Sequence, residues 1–138
     1  TTYDTRRKNN VCGGPIFRCQ KSASMECGGC HTMVYCSVEC QRKSWPRHKT
    51  ECALWKQLFY MSSDEAGRKL VELVKCKATA QVKSFMCFYQ YEQHNEQLQA
   101  VLAYSDAKSG YTALDIAKRS HDSEIVKLLK IVTAACNR

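Results

Sequence analysis

The sequence predicts a small cysteine-rich α+β module followed by an all-α domain. Seven of the ten cysteines lie between Cys12 and Cys52, in a block that mixes turn residues with a short β-prone run. From Met61 onward cysteines are sparse, and apolar residues recur every three or four positions, as they do on the buried face of a helix. A chain of 138 residues is long enough for one small stapled module and a modest helical domain.

Overall composition limits the class of protein. No stretch approaches the roughly 20 apolar residues of a membrane span, so we expect no membrane association. The polar start of the chain lacks the apolar core of a signal peptide. The first residue is Thr1 rather than a methionine, which indicates a piece of a longer protein.

The elements of the first part follow from local residue chemistry. Residues 1–11 are predicted to be a flexible basic arm, and the Gly-Gly-Pro run at 13–15 is typical of a turn. A β-prone run and two helices come next, at residues 33–35, at 37–43 and from Trp45-Pro46 to residue 60. Proline suits the first turn of a helix, where its missing N–H group is no loss. The last helix carries Leu54, Leu58 and Phe59 at core spacing.

The second part, residues 61–138, is predicted to be helical throughout. Ser62 and Glu65 fit a capping box, which marks the start of a helix. Stripes of apolar residues at helical spacing follow at Leu70–Val74, Val82–Tyr89 and Leu98–Leu102. A polar turn at 105–110 precedes two further helices, a short one over 113–118 and a longer one over 123–135. These stripes indicate packing and carry no functional information.

Ligand-type residues in the first part fall at spacings that metal ions require. The pairs are Cys27-x2-Cys30, Cys36-x3-Cys40 and His48-x3-Cys52, and Cys19 precedes them. Two thiolates can bind one ion from a tight C-x2-C turn, and residues four apart share one face of a helix. A secreted disulfide scaffold would spread its cysteines over the whole chain, so this clustering indicates zinc ligands in a protein of the nucleus or cytoplasm.

The run CGGCHTMVYCSVECQRKSWPRHKTEC, residues 27–52, resembles the MYND zinc finger. The shared features are C-x2-C, then Tyr-Cys-x3-Cys-Gln, then Trp, then His-Lys-x2-Cys. The resemblance implies a module over residues 12–60 with two interleaved zinc ions. The first zinc would take Cys19, Cys36 and Cys40, and the second would take Cys27, Cys30, His48 and Cys52.

The first of these sites departs from the family pattern. The resemblance places its missing fourth cysteine where Ile16 stands, and isoleucine cannot bind zinc. Cys12 is the nearby thiol, and a C-x6-C loop through the turn at 13–15 would let it serve as the substitute. The alternative is a first zinc with three protein ligands, or none bound. We predict Cys12 as the fourth ligand and two zinc ions per chain.

We expect this chain not to be an enzyme. A shell rich in thiolates reduces the Lewis acidity of zinc, and no acid or histidine of the block is placed by a motif as a general base. The acids are Glu26, Glu39 and Glu51, and His31 is interpreted as a surface residue. The resemblance instead implies docking of short proline-x-leucine-x-proline peptides, often in transcriptional co-regulators.

The peptide groove would involve Tyr35, Gln41 and Trp45, which lie on or beside the positions that the family uses. A proline-rich peptide is already extended and docks readily on an aromatic surface. Trp45 would supply that surface, Gln41 a hydrogen-bonding amide, and the strand at 33–35 a backbone edge. The alternative for Trp45 is a core residue that packs the metal module, and the two roles are compatible.

The segment SGYTALDIAKRSHDSEIVKLLK, residues 109–130, resembles one ankyrin repeat. Gly110, Thr112, Leu114 and Ala117 match the family signature, whereas Ala113 and Asp115 replace its proline and histidine. A single repeat cannot bury its own face, so the resemblance implies a short degenerate stack or the end of a longer array. A generic helical bundle is the alternative. Either form would offer a second protein-binding surface.

The sequence therefore predicts a zinc-dependent protein-interaction adaptor whose partners carry short proline-rich motifs. One rival is a non-catalytic fragment of a MYND-containing lysine methyltransferase, although no Asn-His-Ser or Gly-x-Gly signature is present. A RING-type ubiquitin ligase is a second, but such domains usually place histidine between the cysteine pairs.

Nucleic-acid binding is the third rival, and we do not expect it. Thiolate ligation of two zinc ions lowers the formal charge of +8 to about +5, which is a mild excess. We interpret the two basic clusters as solvated surface. They are Arg6, Arg7 and Lys8, and Arg42, Lys43, Arg47 and Lys49.

Overall fold

The computed structural model describes residues 12, 19, 21–90 and 94–136, without the side chains of Gln90 and Cys136. Within these ranges a two-stranded antiparallel sheet is followed by six α-helices. The predicted arm at 1–11, the basic cluster Arg6 to Lys8 and the turn at 13–15 lie outside them. The elements are β1 Met25–Glu26, β2 Val34–Tyr35, α1 Val38–Phe59, α2 Ser63–Lys75, α3 Thr79–Gln90, α4 Leu98–Ala103, α5 Ala113–Arg119 and α6 Ser123–Cys136.

Strands β1 and β2 form a short hairpin that encloses the C-x2-C turn. Met25 pairs with Tyr35 and Glu26 with Val34. Met33, Val34 and Tyr35 are almost fully buried, so this β-prone run packs inward. The hairpin therefore fixes the turn between its strands against the first helix.

Helix α1 corrects the prediction of two helices separated near Trp45. It runs without a break through Pro46, over 22 residues. Its start is set by Ser37, whose side chain accepts a hydrogen bond from the Cys40 backbone at 3.3 Å. A proline inside a helix leaves the carbonyl four residues earlier without its usual donor. Pro46 and Arg42 are both exposed, so water can satisfy that carbonyl.

The buried face of α1 is also different from the predicted one. Leu58 is buried as predicted, but Phe59 is 39% exposed and Leu54 only half-buried. Trp55 takes the central place instead, at 1% exposure, and its indole N–H donates to the Ser84 carbonyl of α3 at 2.8 Å. His48 and Cys52 lie on the same buried face as Trp55, so this face includes polar ligand-type residues. The spacing of apolar residues alone therefore did not predict it.

The second part consists of two helix hairpins and one short helix. Helices α2 and α3 form the first hairpin and α5 and α6 the second; α2 packs on α5, α3 on α6, and α4 on α2. Both hairpins turn at a residue with positive φ, Lys77 at 56° and His121 at 58°. The predicted helices over 113–118 and 123–135 are confirmed to within one residue.

Capping boxes begin the leading helix of each hairpin. Ser62 and Glu65 form the predicted one, and Thr112 and Asp115 form a second. Asp115 stands where the ankyrin signature has histidine, and its carboxylate accepts from the Thr112 backbone at 3.2 Å. This part is helical as predicted, whereas its ankyrin-like nature stays a prediction.

One continuous apolar cluster joins the two parts of the chain. It extends from Cys27 and Tyr35 through Trp55 to the helices beyond, where Phe88 lies 6.1 Å from the Trp55 ring. Helix α1 ends at Phe59 and α2 begins at Ser63, near the predicted boundary at 60/61. The division into residues 12–60 and 61–138 stays a prediction. No helix in the described ranges combines the length and apolarity needed to cross a bilayer.

Candidate metal centre

Four cysteines meet at the amino-terminal end of α1. The sulfur atoms of Cys12, Cys19, Cys36 and Cys40 all lie within 4.8 Å of one another. Cys36 directly precedes the capping residue Ser37, and Cys40 follows in the first turn, so both project from one end of the helix. Cys12 is fully buried, whereas the other three are partly exposed. These four residues are the first cluster.

A second set of ligands meets between the hairpin and the middle of α1. The ligand atoms of Cys27, Cys30, His48 and Cys52 lie within 4.8 Å of one another. The hairpin supplies the first pair from its tight turn, and α1 supplies His48 and Cys52 from successive turns of one face. All four are at most 5% exposed. These residues are the second cluster.

The spacing of the ligand atoms fits tetrahedral zinc. Four ligands around one ion, with Zn–S of about 2.3 Å and Zn–N of about 2.0 to 2.1 Å, place sulfur atoms about 3.8 Å apart and sulfur about 3.5 Å from nitrogen. The measured sulfur separations are 3.8 Å for Cys19–Cys36, 3.6 Å for Cys36–Cys40 and 3.8 Å for Cys27–Cys52. Cys30 Sγ lies 3.5 Å from His48 Nε2. A disulfide would need about 2.05 Å, so none of these pairs is a disulfide, and both sets can hold a metal ion.

The grouping agrees with the interleaved pattern, and the structure brings Cys12 to the predicted fourth position. The Cys12 backbone N–H donates to the Lys21 carbonyl at 2.9 Å, which holds Cys12 beside the first cluster. Ile16 lies outside the described residues. His31 is outside both clusters, and its Nδ1 lies 3.2 Å from Glu26 Oε1 on the surface.

Glu51 contacts a ligand of the second cluster, which the sequence reasoning missed. Its Oε1 lies 2.7 Å from His48 Nδ1, so Nε2 is left to face the cysteines. A carboxylate in this position fixes the ring orientation and tautomer of a metal-bound histidine and raises its basicity. The signal was present in the sequence, because residues three apart on a helix are neighbours.

The groups of the second cluster differ in how strongly they bind protons: Cys27 loses its proton readily, whereas Cys30 and His48 keep theirs. A hydrogen bond from Cys30 lowers the pKa of Cys27 to about 2, and the same contact raises the pKa of Cys30. Burial acts to lower the pKa of His48, but hydrogen bonds to Cys27 and Glu51 outweigh it and raise that pKa to about 9. Zinc needs thiolates and a neutral imidazole, so metal binding here is coupled to proton release.

Three aromatic rings surround the imidazole of His48. Their centroids lie 5.7 Å away for Trp55, 6.1 Å for Trp45 and 6.4 Å for Tyr35, each in an edge-on arrangement. Trp55 and Tyr35 are buried, whereas Trp45 is 45% exposed. Trp45 is thus held by the ligand on one side and open to solvent on the other.

The three residues predicted to bind a peptide are not equally placed. Gln41 and Trp45 lie one turn apart on α1 and reach the surface. Tyr35 is fully buried, and its hydroxyl has no hydrogen-bond partner within the part of the chain that the structure describes. The side chain of Tyr35 therefore cannot contact a peptide on the surface, and any contact from this residue would come from its backbone.

The family comparison decides the nature of the first part. Residues 10–52 match the model of the MYND finger family. This segment is a MYND finger. With its geometry, the match shows two zinc sites, Cys12, Cys19, Cys36 and Cys40 in one and Cys27, Cys30, His48 and Cys52 in the other.

The chain is similar to proteins whose names identify them as lysine methyltransferases. The chain is 48% identical to the N-lysine methyltransferase SMYD2 of Gallus gallus over 46 residues, which cover 33% of this chain and 10% of the relative. Over 82 residues, 56% of this chain and 19% of the relative, it is 32% identical to the histone-lysine N-methyltransferase SMYD3 of Mus musculus. The chain thus spans a fifth or less of the length of these relatives. No solved structure matches it.

Proposed function

We propose that the chain is a zinc-dependent interaction module that binds short proline-containing peptides on the outer face of α1. The supporting observation is the exposure of Trp45. Trp45 is 45% exposed, although a side chain of this size is usually buried for the most part. Its ring lies edge-on to the ligand His48. Half-exposed aromatic residues of this kind are typical anchors of protein interfaces.

Neighbouring residues extend the surface around Trp45. Val38, seven residues earlier on the same face, is 56% exposed, and Gln41 lies between the two. The strip therefore offers two apolar contacts and one amide on a helix whose orientation is fixed by both zinc clusters. A pre-ordered, proline-containing peptide pays little entropy to lie along such a strip.

The test is the titration of a proline-x-leucine-x-proline peptide against variants of α1. Trp45→Ala is expected to weaken binding about thirtyfold, because loss of an interface anchor costs roughly 2 kcal/mol. Gln41→Ala is expected to cost about 1 kcal/mol, the usual contribution of one hydrogen bond. Tyr60→Ala is the matched control, because Tyr60 is a 73% exposed aromatic residue that follows the opposite end of α1.

Native mass spectrometry must show two zinc ions in every variant. Equal affinity of the wild type, Trp45→Ala and Gln41→Ala would mean that the peptide binds elsewhere. No binding to the wild type would leave the adaptor function to the helical part, whose second protein-binding surface and ankyrin-like stack are also proposals. We place the protein in the nucleus or cytoplasm, with protein partners rather than nucleic acid.

A second candidate function is supported by the comparisons. Similarity to two lysine methyltransferases over and beyond the finger favours a non-catalytic fragment of such an enzyme. Eight thiolate and imidazole ligands form the two metal sites, and among the described residues the acid beside the second site, Glu51, is held by His48. This candidate requires that the chain alone transfers no methyl group to lysine peptides, which a transfer assay checks.

A further inference from the structure

A positive stripe runs along α1 beside Trp45. Arg42, Lys49 and Lys56 follow one another at intervals of seven residues, and all three are exposed. Such residues lie on one face of a helix, two turns apart. Arg42 comes three residues before Trp45 and Lys49 four residues after, so both are its neighbours on the helix surface.

The order of residues around the helix places this stripe on the solvent side of Trp45. At about 100° per residue, Trp45 falls between the buried face that carries Cys52 and the stripe that carries Lys49. Cys40, the ligand of the first cluster, projects from the far side of the helix, about 200° from Arg42. The negative charge of the first cluster is thus directed away from the stripe, whereas Cys52 of the second cluster is a buried neighbour of Lys49 and Lys56 on the same helix.

The acidic residues of α1 do not neutralise the stripe. Glu39 pairs with Lys43 at 3.1 Å, and Glu51 is held by the ligand His48 at 2.7 Å. Among the residues described by the structure, no carboxylate lies within ion-pair distance of Arg42, Lys49 or Lys56. The exposed apolar strip is therefore bordered by positive charge alone along this side.

We infer that the partner peptide carries acidic residues beside its proline-containing motif, and that their carboxylates lie against Arg42 and Lys49 while an apolar side chain covers Trp45. This rests on the proposed function and specifies its partner. Charge complementarity of this kind mainly sets specificity and association rate. A nucleic-acid duplex would contact the cations but would leave the exposed apolar pair Val38 and Trp45 uncovered, so a peptide fits the surface better.

Two peptides test the inference by calorimetry. One is a neutral proline-x-leucine-x-proline peptide, and the other has two glutamates added on each side. The acidic peptide is expected to bind on the order of fivefold more tightly in low salt, since exposed charge pairs contribute modestly. This advantage should fade at high salt, because surface charges are screened.

The double variant Arg42→Gln/Lys49→Gln is expected to abolish the advantage of the acidic peptide while it binds the neutral peptide like the wild type. The matched control is Lys127→Gln/Lys130→Gln, which removes two exposed charges from α6. The control is expected to keep the fivefold advantage. Its behaviour separates a local contact from the effect of net charge, which both double variants change equally.

Equal affinity of wild type for the two peptides would overturn the inference and leave the proposed function standing. Failure of both peptides to bind would overturn the proposed function as well. A duplex oligonucleotide forms a third arm. If the duplex binds the wild type more tightly than the acidic peptide, and Arg42→Gln/Lys49→Gln abolishes that binding, the stripe is a nucleic-acid surface and the inference is wrong.

Discussion

The two metal clusters of the MYND finger have equal numbers of ligands but different surroundings. In the second cluster every ligand is at most 5% exposed, and Cys27, Cys30 and Cys52 belong to the core that continues into the helices. In the first cluster Cys12 belongs to the same core, but Cys19, Cys36 and Cys40 are partly exposed. The second site therefore lies within the hydrophobic core, whereas the first site joins Cys12 and Cys19 to the amino-terminal end of α1.

Connections to the rest of the chain follow the same division. Trp55 lies one turn after Cys52, its ring lies edge-on to His48, and its indole N–H donates to the Ser84 carbonyl of α3. The contacts named for the first cluster stay within the finger: the Cys36 thiol lies 3.7 Å from Ser37 Oγ, and the Cys12 backbone N–H donates to the Lys21 carbonyl. We therefore expect damage to the second cluster to spread into the helices and damage to the first to remain near residue 40.

The largest effect is expected from removing one ligand of each cluster. Cys52→Ser should abolish the second zinc and lower the melting temperature of the whole chain, because structural zinc contributes on the order of 10 kcal/mol to folding. Cys19→Ser should abolish binding of the first zinc only and preserve most of the circular-dichroism signal of the helices. Native mass spectrometry counts the ions and thermal melts give the stability.

Equal losses of stability in Cys52→Ser and Cys19→Ser would remove the distinction between the clusters. Loss of one zinc in Cys52→Ser with the helices after residue 61 unaffected would instead support two independently folding parts. The same experiment with Cys12→Ser tests the fourth ligand of the first cluster. Retention of two zinc ions at unchanged affinity in that variant would show that Cys12 is not a ligand.

A smaller effect is expected at Glu51. Glu51→Ala should weaken zinc binding at the second cluster about 10- to 100-fold, because the carboxylate that orients the metal-bound His48 is lost. Competition with a chelator measures this affinity. Glu39→Ala is the matched control, since Glu39 is an exposed acid of the same helix that pairs with Lys43. If both variants bind zinc like the wild type, the orienting role of Glu51 is wrong.

The smallest effect is expected from the two glycines of the C-x2-C turn. A methyl group at Gly29 would meet Cys52 Sγ at 3.0 Å, so the ligand must shift by a few tenths of an ångström. Gly29→Ala should weaken the second zinc about threefold, a fraction of what loss of an orienting carboxylate costs. Gly28→Ala is the control, because nothing lies within 4 Å of that position. Chelator competition should give a lower zinc affinity for Gly29→Ala than for Gly28→Ala. The opposite order would contradict the geometry.

The ligand residues were predictable because metal coordination imposes fixed spacings on the sequence, such as a tight turn or a pair of residues one helical turn apart. Their division between the two sites, and the need for Cys12 as a fourth ligand, came from the resemblance to the MYND finger, since spacing alone does not say which turn shares an ion with which helical pair. The helices after Met61 were predictable, since apolar spacing is read within one element.

The remaining features depend on contacts between distant residues. Trp55 was missed because its place is decided by α3, some thirty residues later in the sequence. The break predicted at Pro46 is absent because ligands on both sides, Cys40 and His48, keep one helix in register. Tyr35 was expected at a groove but faces the core, since a two-residue strand gives too short a pattern to tell its inner face from its outer one.

The continuity of α1 also determines which changes of length the protein tolerates. Ligands of both clusters and Trp55 lie on this one helix, so their angular relationship is set by the number of residues between them. One residue inserted between Cys40 and His48 would rotate everything after it by about 100° and turn Trp55 away from α3. Seven inserted residues would nearly restore the angle but separate the clusters by about 10 Å more. We therefore expect insertions to be tolerated in exposed turns such as 107–110 and not within α1.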